Sequence, residues 1–233
     1  MKINLRSLMV LIGAPIVLFT MGPMAYGQAV LLPPVGSVTI RNLTWAGSGC
    51  PADTVSKNLD RDAQAFTLAF DSFIAVAGPT ITDPRENRKN CNIIIDFTFP
   101  SGWSFTIFTV DYRGFAELDR WVTATQRSAY FFEGQFPSAA LSTRLVGPIA
   151  GINYERRDSL GLLNRIWSPC GGGRALNINA EVRVSNMANR QGSGQMTLDT
   201  VTGTVQHIYG LQWRRCTSDA QLMEDLEAEG MGE

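Results

Sequence analysis

Four cysteines, one histidine, a scatter of aspartates and five tryptophans are the residues of this chain that could do chemistry. A nucleophilic centre would have one base to draw on, His207 in Thr204-Val205-Gln206-His207-Ile208-Tyr209. Serine–histidine–acid chemistry needs that base beside a serine and an acid, and no G-x-S-x-G elbow occurs. Zinc catalysis asks for two or three histidines. His207 therefore reads as a strand histidine with a structural role.

Carboxylates offer more. Asp71, Asp96, Asp111 and Asp119 lie in or beside apolar stretches, and a glycosidase needs only two acids facing each other across a groove. Strand parity places Asp96 with Asn92, Ile94 and Thr98, opposite Ile93, Ile95 and Phe97. Asp111 shares parity with Trp103, Phe105 and Ile107, so an unbroken strand points it at the core. Arg113, on the same face, is its expected ion-pair partner. Calcium is a further reading of the acids, through Asp60, Asp62 and Asp83, but no D-x-D-x-D-G run exists. Asp60 to Asp62 instead fits a hairpin turn between 54–57 and 64–70. No metal and no cofactor are expected.

Aromatic rings are the binding case. Of Trp45, Trp103, Trp121, Trp167 and Trp213, most belong in a core, because burying apolar surface gains about 25 cal/mol per Å². Trp121 follows Glu117-Leu118-Asp119-Arg120 and precedes a threonine-rich stretch, so both display and burial are open to it. The glycine run in Cys170-Gly171-Gly172-Gly173 is not a phosphate loop. Such loops deliver an anion to a helix N-terminus, whereas this one leads into the strictly alternating Leu176-Asn177-Ile178-Asn179-Ala180-Glu181-Val182-Arg183-Val184. It is a turn beside a cysteine.

Period-two alternation dominates the chain up to its last cysteine. Residues 91–110 read as a hairpin through Pro100-Ser101-Gly102, and further strands are expected near 37–46, 64–76, 126–135, 140–147, 195–201 and 203–213. About ten short strands punctuated by glycine and proline argue for a two-sheet antiparallel β-sandwich, with a barrel as the lesser option.

Residues 1–27 have the form of a secretory signal peptide, with Lys2 and Arg6 ahead of a short apolar run and small residues before Gln28. The run falls short of the roughly 18 residues needed to span a bilayer, so no transmembrane anchor is expected after processing. Residues 28–36 form an extended lead-in, 37–216 the sandwich domain, and 217–233 an acidic flexible tail with a short helix near 219–228. The whole chain has a formal net charge of −1 and no basic block, which argues against nucleic acid as a partner. In an exported chain, Cys50, Cys91, Cys170 and Cys216 read as two disulfides. Three connectivities are open. The pairing of sequence neighbours, Cys50–Cys91 and Cys170–Cys216, closes loops of moderate length and is preferred. Asn42-Leu43-Thr44 is a glycosylation sequon that matters only in a eukaryotic secretory pathway.

An ordered set of short motifs adds a resemblance. Gly49-Cys50-Pro51, Arg88-Lys89-Asn90-Cys91, Asp111-Tyr112-Arg113-Gly114, Val122-Thr123-Ala124-Thr125, Trp167-Ser168-Pro169-Cys170-Gly171, Ala175-Leu176-Asn177-Ile178 and Gly210-Leu211-Gln212-Trp213-Arg214, with Cys216, follow one another. Together they resemble the secreted family known as domain of unknown function 4360, from about residue 38 to Cys216. The resemblance implies export, a β-rich fold and structural cysteines. It supplies no catalytic residues and does not reach the acidic tail.

The expectation is thus a secreted, extracellular or periplasmic, all-β protein, a two-sheet antiparallel β-sandwich with two disulfides. It acts as a non-catalytic binding module for extracellular or envelope polysaccharide, with Trp121, Asp119 and Asp111 as candidate binding residues. The alternatives are a carboxylate-dependent carbohydrate-active enzyme using Asp96, Asp111 or Asp119, and a secreted protein-interaction or inhibitor module. The apolar run Ile93-Ile94-Ile95, which places an isoleucine on both strand faces, is the feature that favours an extracellular protein partner.

Overall fold

A computed structural model describes residues 31–135, 139–161, 165–198 and 207–216. The expected signal peptide, the first residues of the lead-in, and the acidic tail with its short helix lie outside the described residues. Twelve strands are seen among those described: β1 (Thr39–Ala46), β2 (Val55–Leu59), β3 (Ala65–Phe70), β4 (Ile74–Ala77), β5 (Arg88–Thr98), β6 (Trp103–Leu118), β7 (Thr123–Phe132), β8 (Ala139–Val146), β9 (Ile149–Ser159), β10 (Leu176–Ser185), β11 (Gly194–Thr197) and β12 (His207–Arg215). A single 3-10 turn, Pro84–Asn87, precedes β5.

The strands form two antiparallel sheets. One runs β1-β5-β10-β7-β8, and the other β2-β3-β12-β6-β11-β4, with β9 added on β6. The alternation of β10 is realised without a break: Leu176, Ile178, Ala180, Val182 and Val184 are buried and the residues between them are not. Rings from the two sheets meet in the space between. Phe97 lies 5.1 Å from Phe105 and 5.5 Å from Phe66, and Tyr130 lies 6.1 Å from Tyr209, all edge-on. Such contacts between aromatic pairs add to the area they bury. This is the expected sandwich.

Both disulfides join the expected neighbours, Cys50 to Cys91 and Cys170 to Cys216, with Cα separations of 5.6 and 6.0 Å. The second ties the approach to β10 in one sheet to the end of β12 in the other. The glycine run is a turn, with Gly171, Gly172 and Gly173 all at positive φ and the Gly171 amide donating to the Trp103 carbonyl at 2.9 Å. Only glycine enters that region without steric cost.

Three expectations change. Residues 91–110 are not a hairpin, because β5 and β6 belong to different sheets and the Pro100-Ser101-Gly102 turn carries the chain across the sandwich. Each strand has an apolar inner face, and those faces pack on each other instead of lying side by side. The single strand expected over 64–76 is broken at Asp71-Ser72-Phe73 into β3 and β4. Finally, β6 does not keep one parity. Gly210 of β12 pairs with Thr109 and Leu211 with Ile107, which leaves Phe108 as an extra, bulged residue. The bulge reverses which residues face inward, so that Val110 and Tyr112 are buried and Asp111 is turned outward. Its partner is accordingly not Arg113. The Arg157 guanidinium on β9 donates to both Asp111 oxygens, at 2.6 and 2.7 Å, while Arg113 pairs with Glu155.

Candidate functional site

At its far end β6 stops at Leu118, and the chain reverses through Asp119–Val122, closed by the Val122 amide donating to the Asp119 carbonyl at 3.0 Å. Neighbouring loops fix this turn. The Asp119 carboxylate accepts from the Ser193 amide at 2.7 Å, and the Asp119 amide donates to the Ser193 carbonyl at 2.9 Å. The Asn189 side chain donates to the Arg120 carbonyl at 2.9 Å. On the opposite side Gly147 lies so close that a Cβ there would meet the Asp119 carbonyl oxygen at 2.0 Å. Any larger residue would push the turn open.

Trp121 sits at the tip of this turn with φ +67 and 56% of its surface exposed. A bulky side chain in the left-handed region costs about 1–2 kcal/mol, and exposing an indole forgoes its burial. The Arg120 guanidinium lies 5.2 Å from the ring centroid. Backbone outliers of this kind persist only where their surroundings hold them, and they gather at functional sites. The other four tryptophans differ. Trp103 and Trp213 are buried, Trp45 and Trp167 are half-buried, and Arg214 lies 4.1 Å over Trp167.

Beside Asp119 opens a cleft of about 290 Å³, bounded by the end of β6, β11 and the loop after β4. Its polar groups are Glu117, Asp119, Gln195, Thr80 and Ser193. Val76, Gln195 and Glu117 stand opposite one another in one cross-strand row. Carboxylates and an amide so placed can accept from and donate to neighbouring hydroxyl groups, and a nearby exposed indole offers a flat face for stacking.

Asp119 and Trp121 share one turn, Asp119 lining the cleft and Trp121 standing outside its lining, and Asp111 lies elsewhere. That residue is eight positions back along β6, roughly 26 Å at strand rise, and is held by Arg157. The Asp111 carboxylate raises the pKa of the exposed Arg157 guanidinium further, through hydrogen bonds and charge. Asp96 pairs with Arg41 on the outer face of the five-stranded sheet. The three acids of the enzyme reading thus occupy three separate places. Glu117, Gln195 and Thr80 were missed from sequence. Glu117 alone carried a signal, since it shares parity with Asp119.

His207 is fully buried, ringed by Phe70, Tyr112 and Tyr209, with its Nδ1 3.3 Å from the Tyr209 hydroxyl. Burial drives its pKa down to about 3. A residue sealed in the core cannot meet a substrate, which agrees with the structural role expected. Of the calcium candidates, Asp83 caps the 3-10 turn and binds Arg85, whose hydrogen bonds pull its pKa to about 2, and Asp62 accepts from Gln64. Among the described residues no three His, Cys, Asp or Glu side chains group as metal ligands.

Residues 36–216 match the family described as domain of unknown function 4360. The chain belongs to that family. An uncharacterized secreted protein of Arthroderma benhamiae is 40% identical over 186 residues, covering 80% of this chain and 75% of the relative. The protein is, like that family relative, a secreted one, and no helix among the described residues is long and apolar enough to cross a membrane. Two solved structures overlap it loosely. TmCBM61 in complex with β-1,4-galactotriose is 9% identical at a TM-score of 0.24, over 76% of this chain and 90% of that one. The enzymatically active domain of bacteriophage CBA120 tailspike protein 4 is 16% identical at 0.22, over 78% and 20%. Superpositions this loose bear on neither the family's fold nor its ligand.

Proposed function

We propose that this secreted β-sandwich is a non-catalytic polysaccharide-binding module. Trp121 provides the stacking face, and Glu117, Asp119 and Gln195 supply the hydrogen bonds to sugar hydroxyls. The observation that carries the reading is Trp121 itself, an exposed indole held at positive φ by a turn that Ser193, Asn189 and Gly147 brace. Nothing in the packing of the core calls for that arrangement, and stacking on a ligand does. Asp119 is engaged by the Ser193 amide, so its role is to hold the turn and present its remaining oxygen rather than to transfer protons. Asp111 drops out of the binding set.

The test is retention on insoluble glycans, run beside a reducing-sugar release assay. Wild type is expected to be retained and to release no sugar, and Trp121→Ala to weaken retention by about 1–3 kcal/mol, or roughly 5- to 150-fold. Sugar release that disappears in Glu117→Gln would replace this reading with the carbohydrate-active enzyme. Absence of retention on every glycan would remove the polysaccharide and leave a protein partner.

A further inference from the structure

The chain's one N-x-S/T tripeptide, Asn42-Leu43-Thr44, lies on β1 rather than in a loop. β1 is the edge of the five-stranded sheet: it pairs with β5 on one side and with no strand among the described residues on the other. Its register slips between Ile40 and Asn42, so that Arg41 is the extra residue. Through this bulge Arg41 and Asn42 are both exposed in succession, while Ile40 and Leu43 are half-buried. Arg41 reaches Asp96, the residue paired with Asn42. The Asn42 side chain itself enters no hydrogen bond or ion pair among the described residues, and Thr44 is exposed beside it. The acceptor amide and the hydroxyl of the motif are therefore both free and outside.

The same strand poses a problem. An open edge offers a row of backbone donors and acceptors to any other chain, and proteins blunt such edges with lysine, proline, bulges or a covering group. β1 is eight residues long and has neither lysine nor proline, only the bulge and Arg41. A group attached at Asn42 would stand halfway along it.

We infer that Asn42 carries an N-linked glycan that shields the free edge of β1. The donor is an oligosaccharide on a polyprenyl pyrophosphate, supplied by a eukaryotic secretory pathway such as that of the fungus in which the 40%-identical relative occurs. The Asn42 side-chain nitrogen attacks the anomeric carbon of the sugar. A C–N bond forms as the C–O bond to the pyrophosphate breaks, the amide loses one proton, and the lipid pyrophosphate leaves.

The test is the full chain secreted from a eukaryotic host. Its intact mass should exceed that of the polypeptide and fall on treatment with peptide N-glycosidase, which leaves aspartate at position 42. Asn42→Gln and Thr44→Ala should abolish the added mass, and Thr44→Ser should keep it. Folded wild type with an unmodified Asn42 peptide would overturn the site. The unglycosylated Asn42→Gln protein, neutral at this position, should self-associate with rising concentration where the glycosylated form stays monomeric. Identical monomeric behaviour of the two forms would overturn the shielding.

Discussion

β6 begins at Trp103 and ends beside Asp119, roughly 50 Å of strand apart, and the two ends treat similar residues in opposite ways. At the first end Trp103 and Trp213 are buried against each other, Trp213 also meets Phe99 and Phe105, and the Trp213 indole donates to the Ala63 carbonyl at 2.7 Å. The glycine turn and the Cys170–Cys216 bridge close over them. The two largest rings there are taken up by the core. At the second end the loops are fixed just as firmly, yet what they fix is an exposed tryptophan at positive φ, on a turn whose Asp119 lines an open polar cleft. A rigid turn that exposes a group rather than burying it is what the proposed binding surface requires.

The contrast between a sealed interior and an open end can be broken first by acid. His207 is neutral in the folded chain down to about pH 3, whereas the unfolded chain takes up a proton near 6.5. Its contribution is fully present above pH 6.5 and is lost as pH falls towards 3, by up to about 5 kcal/mol. His207→Phe should flatten that part of the stability–pH curve, which urea melts across the range would show. An unchanged slope would mean that the imidazole is not sealed.

Next in size is the bridge at the packed end. Replacing Cys170 and Cys216 with alanine should cost about 4 kcal/mol on the chain-entropy estimate for a loop of this length. Thermal melts should fall while glycan retention of the folded fraction does not change. Smaller still is the effect of Trp121→Ala on folding. Although this change is expected to weaken the proposed binding, it should leave stability within about 0.5 kcal/mol, as for other exposed sites. A large loss would show that the indole packs rather than displays. Comparable in size is Asp111→Asn. Its side chain is 15% exposed but its partner Arg157 is 71% exposed, so the pair is worth about 1 kcal/mol at most, and retention should not change while the melting temperature falls slightly.

Much of this was legible in the residues. The alternation of β10, the two-sheet class and the cysteine pairing follow from period, turns and loop length, which local sequence carries. The crossing of β5 to β6 was not legible, because Pro100-Ser101-Gly102 suits a hairpin and a crossover alike, and the choice depends on which distant strands pair. The outward turn of Asp111 hangs on one bulged residue, Phe108, fixed by the register of β12. β9 was missed altogether: along its length Tyr154 alone is buried, so no hydrophobic period marks it, and with it went the partner of Asp111. The display of Trp121 depends on a left-handed turn that a tryptophan does not announce.

The most direct test of the binding surface is a tryptophan-fluorescence titration with soluble oligosaccharides of a retained glycan. Trp121 is the one strongly exposed indole among the described residues, so its emission should shift saturably in wild type, and that shift should be absent in Trp121→Ala with an unaltered melting temperature. A shift that survives in Trp121→Ala, or no shift with a glycan that wild type retains, would contradict the assignment of this end of the sandwich.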